Sequence, residues 1–485
     1  MEWLIPMNAE TAFQNSDGAA EAIRAVDETI ARSRAAQSRF SQDPTQERYD
    51  RAALAVGWAI MEPGRNRELA ELAVSTTGLG NVADKISKNH RKTLGLLRDL
   101  RDTKTCGVIR EVPELGITEI ARPAGVVGAV TPSTNPVATP ANNIINALKC
   151  GNAIILAPSP AGVAACERLL GYIHAEFAKF GEDPDLVQMV PVPPSKIKTQ
   201  RLMEGVDLVV VTGSQDNVRR AYTSGTPAVG VGTGNAPVIV DETADVAAAA
   251  KRISASKTFD YATSCSSENA VIVVEPVRAA FLEAAHAAGG RLLDAEQTAK
   301  VKNALWQDGK LSRDLIAKDA ATVMSVAGIE VDDPDSARFF LAPAETIGPE
   351  EPLSGEKLSL IATLYTARDF DEAKGMAGRL LAHQGAGHSV GLHSTRDDRA
   401  MTLGQELPTC RVIVNQPHCF ATGGSFENGL PFSLSMGCGT WGGNSIDDNL
   451  NYRHFLNIAK VARPIPSREP TLEEIFSEYW GETRK

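Results

Sequence analysis

The stretch VVGAVTPSTNPVATPANNIINALKCGNAIILAPSPAG, residues 126–162, decides the fold class. Two short apolar runs, VVGAV and NAIILAP, enclose a segment whose apolar residues recur at helical spacing. A strand, a helix and a strand in succession predict a right-handed βαβ unit, and strands that are apolar throughout are typical of parallel sheets covered on both faces. The sequence therefore predicts an α/β fold.

The alternation continues along the chain in two series. DLVVVTG and APVIVD are further strand-like runs before residue 241, and AVIVVEP, LSLIATLYTA, SVGLH and CRVIVN follow it, each separated by helical patterns. Residues 19–110 show helical spacing and little strand signal. Because 485 residues exceed what one hydrophobic core usually supports, we expect a nucleotide-binding α/β domain, a second α/β domain and a helical N-terminal layer.

Composition and charge exclude several classes of partner. The chain has 49 Lys and Arg against 60 Asp and Glu, without a basic run, so we expect no nucleic acid. The N-terminus MEWLIPMNAE lacks the pattern of a signal peptide, and no window approaches the roughly 18 apolar residues of a membrane helix. We therefore expect no membrane association and a cytoplasmic protein.

The seven cysteines are scattered, without the paired spacings of a zinc site or a disulfide framework. We expect reduced thiols and no metal. Cys265 lies in the polar loop FDYATSCSSEN just before an apolar strand, where a thiol can reach a substrate and be stabilised as thiolate. The alternative is a small buried residue, which is the commoner role of a single cysteine.

Six motifs carry a resemblance that weighs against that alternative. They are TPSTNP, GVGTGNAPVIVD, FDYATSCSSEN, EKLSL, GAGHSVGLHS and GCGTWGGNS. In this order, within residues 121–460, they resemble the motif set of the CoA-acylating branch of the aldehyde dehydrogenase superfamily. The resemblance implies the aldehyde dehydrogenase-like fold, with a Rossmann-like cofactor domain, a catalytic domain and a small oligomerisation arm.

The resemblance also implies roles for three residues. Cys265 is the nucleophile, which adds to the aldehyde carbon and later holds the acyl group as a thioester. Asn135 and the Cys265 backbone N–H stabilise the oxyanion, although an Asn is also common in Asn-Pro turns. His388 is a proton shuttle or, alternatively, a structural residue in a glycine-rich turn.

A missing residue predicts the acyl acceptor. Hydrolytic relatives have a glutamate base 34 positions before the nucleophile, and the residue at that position here is Val231. Valine cannot accept a proton from water, so the resemblance implies transfer to the thiol of CoA, as cosubstrate, to form an acyl-CoA. The alternative is that Glu268 replaces the missing base and makes the enzyme hydrolytic.

The cofactor implied by the resemblance is NADP or NAD. Glu356 is expected at the nicotinamide ribose, and Val218 departs from the glycine of hydrolytic relatives. Where those relatives have a lysine and a glutamate that faces the adenosine ribose, this chain has Ala157 and Pro160, which favours NADP because no carboxylate repels a 2′-phosphate. The other predicted cofactor-binding residues are Thr131, Pro132, Ser133, Thr212, Gly213, Ser214, Gly232 and Gly234.

The substrate is predicted from finer resemblances. Several stretches look most like the acylating sulfoacetaldehyde dehydrogenases, so the predicted substrate is sulfoacetaldehyde and the product sulfoacetyl-CoA. NQPHCFATGGSFENG also resembles CoA-dependent succinate-semialdehyde dehydrogenases, and acetaldehyde or propionaldehyde is a further alternative. A non-catalytic scaffold role is the alternative from another class. Candidate substrate-binding residues are Asn142, Ser264, Ser266 and His418.

The resemblance implies domain boundaries as well. The cofactor-binding domain is expected over residues 1–235 with a return segment 422–450, and the catalytic domain over 236–421. Residues 111–122 and 451–463 are expected to form the oligomerisation arm, and 464–485 a C-terminal tail. We expect a homodimer or homotetramer.

Overall fold

Helices form the N-terminal layer, as the spacing of residues 19–110 predicts. The computed structural model describes residues 9–483, with side chains from 18 to 482. The side chain of Thr45 caps the second helix by accepting the Arg48 N–H, and Asn81 caps the fourth by accepting the Asp84 N–H. The helices are α1 (Ala9–Gln42), α2 (Gln46–Met61), α3 (Pro63–Thr77) and α4 (Val82–Leu100). They are followed by β1 (Gly107–Val112) and β2 (Ile117–Pro123).

A five-stranded parallel sheet follows, in the order β5-β4-β3-β6-β7. Its elements are β3 (Val126–Thr131), α5 (Ala138–Lys149), β4 (Ala153–Pro158), α6 (Val163–Ala178), β5 (Val187–Met189), α7 (Lys196–Gly205), β6 (Leu208–Thr212), α8 (Gln215–Tyr222) and β7 (Ala228–Val231). The strand order reverses between β3 and β6, and ligands of parallel sheets bind outside the carboxyl ends of the strands at such a point.

The second large sheet has seven parallel strands in the order β10-β13-β14-β9-β8-β15-β16. Its elements run from β8 (Ala236–Val240), α9 (Val246–Thr258), β9 (Glu268–Val274), α10 (Glu275–Ala287), β10 (Gly290–Leu292) and α11 (Ala295–Leu305) through the hairpin β11 (Trp306–Gln307) and β12 (Lys310–Leu311) to α12 (Ala320–Ala327), β13 (Phe339–Pro343), β14 (Ile361–Ala367), α13 (Phe370–His383), β15 (Val390–His393), α14 (Asp397–Glu406), β16 (Val412–Val414) and α15 (His418–Ala421). These two sheets confirm the predicted α/β fold class.

The chain then returns to the first sheet. Phe432, Leu450 and Phe455 are buried in the core that the N-terminal helices form with that sheet. After them come β17 (Leu456–Ala462) and α16 (Leu472–Thr483). Strand β17 pairs antiparallel with β2, whose other edge pairs with β1, so an additional small sheet begins at Gly107, four residues before the predicted arm. None of the helices within residues 9–483 is long and apolar enough to cross a membrane.

Candidate active site

The loop before β9 presents Cys265. It begins with a turn in which Asp260, Tyr261 and Ala262 have φ of 49°, 51° and 61°, a conformation that costs non-glycine residues about 1 kcal/mol or more each. The buried Asp260 carboxylate anchors the turn by accepting hydrogen bonds from the Asn81 N–H at 3.0 Å and the Thr263 hydroxyl at 2.8 Å. The turn therefore fixes the backbone from which the thiol projects.

Two lysines of α4 neutralise Asp260. Its Oδ2 atom lies 3.0 Å from Lys85 Nζ and 2.5 Å from Lys88 Nζ, with all three side chains buried. Burial alone would raise the pKa of Asp260, but the two ammonium groups outweigh burial and hold that pKa below its usual range. The charge cluster attaches the nucleophile loop to the N-terminal layer.

A cavity of about 300 Å³ lies over Cys265. The cavity is bounded by α4, by the ends of β6 and β7, and by the nucleophile loop, so it lies between the two large sheets. The predicted site residues that line it are Pro132, Asn135, Thr212, Gly213, Ser214, Gly232, Ser264, Cys265, Ser266 and Glu356. Residues from four of the six motifs thus line one cavity. A fifth motif contributes His388, which contacts Cys265 from outside the cavity lining.

His388 lies behind the thiol. Its Nε2 atom is 3.3 Å from Cys265 Sγ, and its Nδ1 atom is 2.8 Å from the hydroxyl of Ser389, which is itself 3.0 Å from Nε2 of His418. Burial lowers the pKa of both imidazoles to about 3 and raises the pKa of the Cys265 thiol to about 12. Both shifts favour a neutral thiol beside a neutral imidazole over the expected thiolate, and Nε2 of His388 lies within reach of the thiol proton.

Asn135 has a fixed amide orientation. Its Oδ1 atom accepts a hydrogen bond of 2.9 Å from Lys88 Nζ. An ammonium group can only donate, so the bond assigns the oxygen to Lys88 and leaves the Nδ2 donor for the cavity. This is the orientation that an oxyanion donor requires.

Val231 and Glu268 occupy different places. Val231, at the end of β7, lines the cavity, whereas Glu268 is not among the residues that line it. The carboxylate of Glu268 instead accepts the His418 backbone N–H at 3.2 Å, and burial raises its pKa. Glu268 is therefore held behind the site and is not placed to activate water against a thioester on Cys265.

The cofactor side of the site contains buried acceptors without partners. Glu356 Oε1, Thr131 Oγ1 and Ser159 Oγ make no hydrogen bond with any described residue, and Thr131 ends β3 at the strand reversal. The space in front of Gly213 is open. Hydroxyl-rich ribose and phosphate groups would satisfy such atoms, so the residues present fit a nicotinamide dinucleotide. Burial raises the pKa of Glu356 to about 8.

Several predicted residues have other roles. Asn142 is buried within α5, His418 contacts Ser389, and neither lines the cavity, so the structure does not bring these two predicted substrate residues to the site. Gly234 packs so closely on the Cys265 backbone that a Cβ atom would overlap the Cys265 carbonyl. This close contact with the Cys265 backbone explains why position 234 is a glycine. Ser133 and Thr131 lie beside the cavity without lining it.

The structure adds residues that the sequence analysis missed. Lys88, Arg91 and Lys92, all on α4, line the cavity. Arg411 is buried and donates to the His388 carbonyl at 3.1 Å, which fixes the backbone of that histidine. The only signal for the α4 group is the spacing of Lys85, Lys88 and Lys92, which places three ammonium groups on one helical face. Within the described side chains, no cluster of His, Cys, Asp and Glu is arranged to hold a metal ion.

Comparison with known proteins agrees with this geometry. The aldehyde dehydrogenase family model matches residues 1–304. The chain is 54% identical to the sulfoacetaldehyde dehydrogenase (acylating) of Cupriavidus necator, over 98% of this chain and 96% of that protein, and 40% identical to the enzyme of the same name from Bilophila wadsworthia, over 94% and 99%. The crystal structure of an acetylating aldehyde dehydrogenase from Geobacillus thermoglucosidasius superposes with a TM-score of 0.89 at 32% identity, covering 93% of this chain and 99% of that one. The chain therefore belongs to the aldehyde dehydrogenase family, in the acylating branch that its motifs resemble.

Proposed function

We propose that this enzyme oxidises sulfoacetaldehyde to sulfoacetyl-CoA, using NAD(P)⁺ and CoA. The 54% identity to an enzyme of that name supports the substrate, and the cavity supports the type of reaction. The main support for acyl transfer to CoA is Val231, because its aliphatic side chain lies in the cavity at the position where a hydrolytic enzyme needs a base.

The first half-reaction uses Cys265, His388 and Asn135. Sγ of Cys265 attacks the aldehyde carbon while its proton passes to Nε2 of His388. Asn135 Nδ2 and the Cys265 backbone N–H donate to the oxygen that becomes negative, and one such donor contributes about 100- to 1000-fold in rate. A nicotinamide dinucleotide, when bound near Glu356 and Thr131, would supply the hydride acceptor for oxidation of the thiohemiacetal to a thioester on Cys265.

The second half-reaction releases the acyl group. His388 first releases to solvent the proton that it took from Cys265. It then takes the thiol proton of CoA as the CoA sulfur attacks the thioester carbon, and it returns this proton to the Cys265 sulfur as the C–S bond breaks and acyl-CoA departs. A thiolate is intrinsically a stronger nucleophile than water at neutral pH, so CoA succeeds where unassisted water is slow. Glu268 is held behind the site, and Glu356, the one carboxylate among the lining residues, is assigned to the nicotinamide ribose, so neither replaces the base that is missing at Val231.

The experiment that tests this function is a single-turnover measurement without CoA. With sulfoacetaldehyde and NAD(P)⁺ alone, the enzyme should release one equivalent of NAD(P)H per Cys265 and then stop as the acyl-enzyme. Added CoA should restart turnover. Steady formation of sulfoacetate in CoA-free buffer would contradict acyl transfer, and the absence of any burst with sulfoacetaldehyde would contradict the substrate.

Succinate semialdehyde, acetaldehyde and propionaldehyde are the alternative substrates. The first is supported by the motif NQPHCFATGGSFENG over residues 415–429, and it shares an anionic tail with sulfoacetaldehyde. A panel of these aldehydes, each assayed with NAD⁺ and NADP⁺, ranks them by kcat/KM. Sulfoacetaldehyde should rank first.

We further propose that NADP is preferred over NAD. The support is the absence of a carboxylate at Ala157 and Pro160, where it would repel a 2′-phosphate, together with the buried Ser159 hydroxyl that lacks a partner among the described residues.

We also propose a homodimer or homotetramer formed through the small sheet of β1, β2 and β17, whose Ile458 and Val461 are exposed. Free thiols at all seven cysteines suit a cytoplasmic location.

A further inference from the structure

Two positive side chains line the cavity without a counter-ion. Arg91 and Lys92, adjacent on α4, form no ion pair with any side chain between residues 18 and 482. A buried charge without an opposite charge is costly, and proteins usually neutralise it with a partner or a ligand. The uncompensated pair therefore calls for an explanation.

Lys92 is held but not neutralised. Its side chain is buried, and its ammonium group donates to the carbonyl oxygens of Gly423 at 2.6 Å and Ser433 at 3.2 Å. An ammonium group has three donors, so one remains for the cavity. Burial and the neighbouring Arg91 lower the pKa of Lys92 to about 7, and the Cys265 sulfur is close enough to act on it electrostatically.

Arg91 is half-buried beside Lys92. Its guanidinium lies over the rings of Phe420 and Phe432, at 5.0 Å and 5.6 Å from their centroids. It donates to the Phe420 carbonyl at 3.2 Å and makes a long contact of 3.4 Å with the Ser425 hydroxyl. A guanidinium has five donors, so most remain unused, and the aromatic rings fix its plane.

The preceding lysines on the same helix show the contrast. Lys85 and Lys88 are also buried, but both contact the Asp260 carboxylate. Among the residues that line the cavity, the only carboxylate is Glu356, which acts electrostatically on Cys265 and not measurably on Arg91 or Lys92. The exposed Glu427 acts electrostatically on Arg91 but forms no ion pair with it and does not line the cavity. The cavity is therefore positive on its α4 side, where an anion that enters it would supply the compensating charge.

We propose that Arg91 and Lys92 bind the anionic tail of the substrate aldehyde and select sulfonate or carboxylate aldehydes over uncharged ones. The inference rests on the proposed function, because it assumes that the aldehyde carbon lies at Cys265. Charge-assisted hydrogen bonds to a guanidinium and an ammonium group suit a sulfonate, which presents three oxygens. The phosphates of CoA or of the dinucleotide are the competing source of negative charge.

The test uses uncharged propionaldehyde as substrate and ethanesulfonate as an unreactive probe. Ethanesulfonate should inhibit competitively against the aldehyde and not against CoA or NAD(P)⁺. Lys92→Met and Arg91→Met should each raise its inhibition constant by about 10- to 100-fold, since a hydrogen bond to a charged group is worth that much. Both should lower kcat/KM for sulfoacetaldehyde by a larger factor than kcat/KM for propionaldehyde, and unchanged circular dichroism spectra would show that both fold. Arg101→Met, which removes an exposed charge just beyond the same helix, is the control and should change neither.

A second measurement needs no turnover. Ethanesulfonate should raise the thermal unfolding temperature of the unmodified enzyme without cofactor, and it should not raise that of Lys92→Met. Ethyl methyl sulfone, an uncharged analogue, should have no effect on either. Propionate tests a carboxylate in place of the sulfonate. Tighter binding of propionate than of ethanesulfonate would show that the sulfonate is not the preferred tail.

The outcomes separate this inference from the proposed function. If the enzyme does not oxidise sulfoacetaldehyde but ethanesulfonate still competes with propionaldehyde through Lys92, the substrate is wrong and the anion site stands. If sulfoacetaldehyde is oxidised but both methionine variants use it as well as the unmodified enzyme does, the site is overturned. Competition of ethanesulfonate with CoA rather than aldehyde would also overturn it.

Discussion

The Nε2 atom of His388 lies 3.3 Å from the Sγ atom of Cys265, and burial keeps both groups neutral. This arrangement differs from a preformed thiolate–imidazolium pair, and in the proposed mechanism the thiol gives up its proton only as it attacks. A histidine whose pKa is near 3 is neutral over the whole range in which the protein is used, so its Nε2 lone pair is free to face the thiol.

His388→Ala should therefore lower kcat/KM for propionaldehyde by about 100-fold or more near pH 7, because general-base assistance is lost. The variant should recover as the pH rises, by about tenfold per pH unit, since the pKa of the Cys265 thiol lies near 12 and each unit yields ten times more thiolate. The unmodified enzyme should be nearly flat between about pH 5 and pH 8. A pH-rate profile measures both, and equal slopes for the two proteins would exclude His388 as the base.

Asn135→Asp should lower kcat by about 100-fold or more while KM for the aldehyde changes little. The substitution keeps the shape of the side chain and the contact of its oxygen with Lys88, but it replaces the Nδ2 donor with a second oxygen. Its thermal unfolding temperature should match that of the unmodified enzyme. An unchanged kcat would show that Asn135 serves only the turn before Pro136.

Asp260→Asn should destabilise the fold by about 3 to 5 kcal/mol, because it leaves the buried ammonium groups of Lys85 and Lys88 without a counter-ion. The folded-state pKa of Asp260 is lowered, so its contribution to stability is present above the unfolded-state pKa near 4 and is lost as the pH falls through the folded-state value. Urea unfolding at a series of pH values should show a smaller loss of stability on acidification in the variant. An equal loss of unfolding free energy on acidification in both proteins would show that Asp260 is not the group responsible for it.

The residues that could be predicted from sequence are those whose role is carried by a local motif. Cys265, Asn135 and Val231 each lie in a short segment that a strand end or a loop presents to the cavity, so their neighbours along the chain indicate their position. The α/β alternation is equally local, since it depends on periodicity within each strand and helix.

The residues that could not be predicted depend on contacts distant in sequence. Arg91 donates to the carbonyl of Phe420, which is 329 positions away in sequence. Because charged residues on a helix usually face solvent, the sequence around Arg91 does not indicate that it lines a cavity. Asn142 shows the opposite case: it lies close to Asn135 in sequence, but it is buried within α5 and does not line the cavity. His418 also lies outside the cavity lining, and its Nε2 atom contacts the Ser389 hydroxyl.

Lys92 predicts a pH dependence that separates anionic from uncharged aldehydes. Its pKa is lowered to about 7 by burial and by Arg91, and Lys88, Cys419 and Cys265 also act on it. It is protonated below that pH and becomes neutral above it, so kcat/KM for sulfoacetaldehyde should fall between about pH 7 and pH 9 relative to that for propionaldehyde. The ratio of the two constants cancels effects on the chemistry. In Lys92→Met this ratio should be lower and independent of pH, and a ratio that still falls in the variant would contradict the assignment.

Val231→Glu tests whether the missing base decides the acyl acceptor. Val231 lines the cavity at the end of β7, so a carboxylate there would face the space over Cys265, and it should give measurable CoA-independent release of the free acid from the acyl-enzyme. The rate should rise with pH as the glutamate ionises, because burial in the cavity raises the pKa of a carboxylate. Val231→Gln is the matched control, since it has the same length and polarity but cannot accept a proton, and it should stall after one equivalent of NAD(P)H. Product analysis in CoA-free buffer distinguishes the two variants. Equal acid formation by both would show that access of water, and not the base, is what Val231 controls.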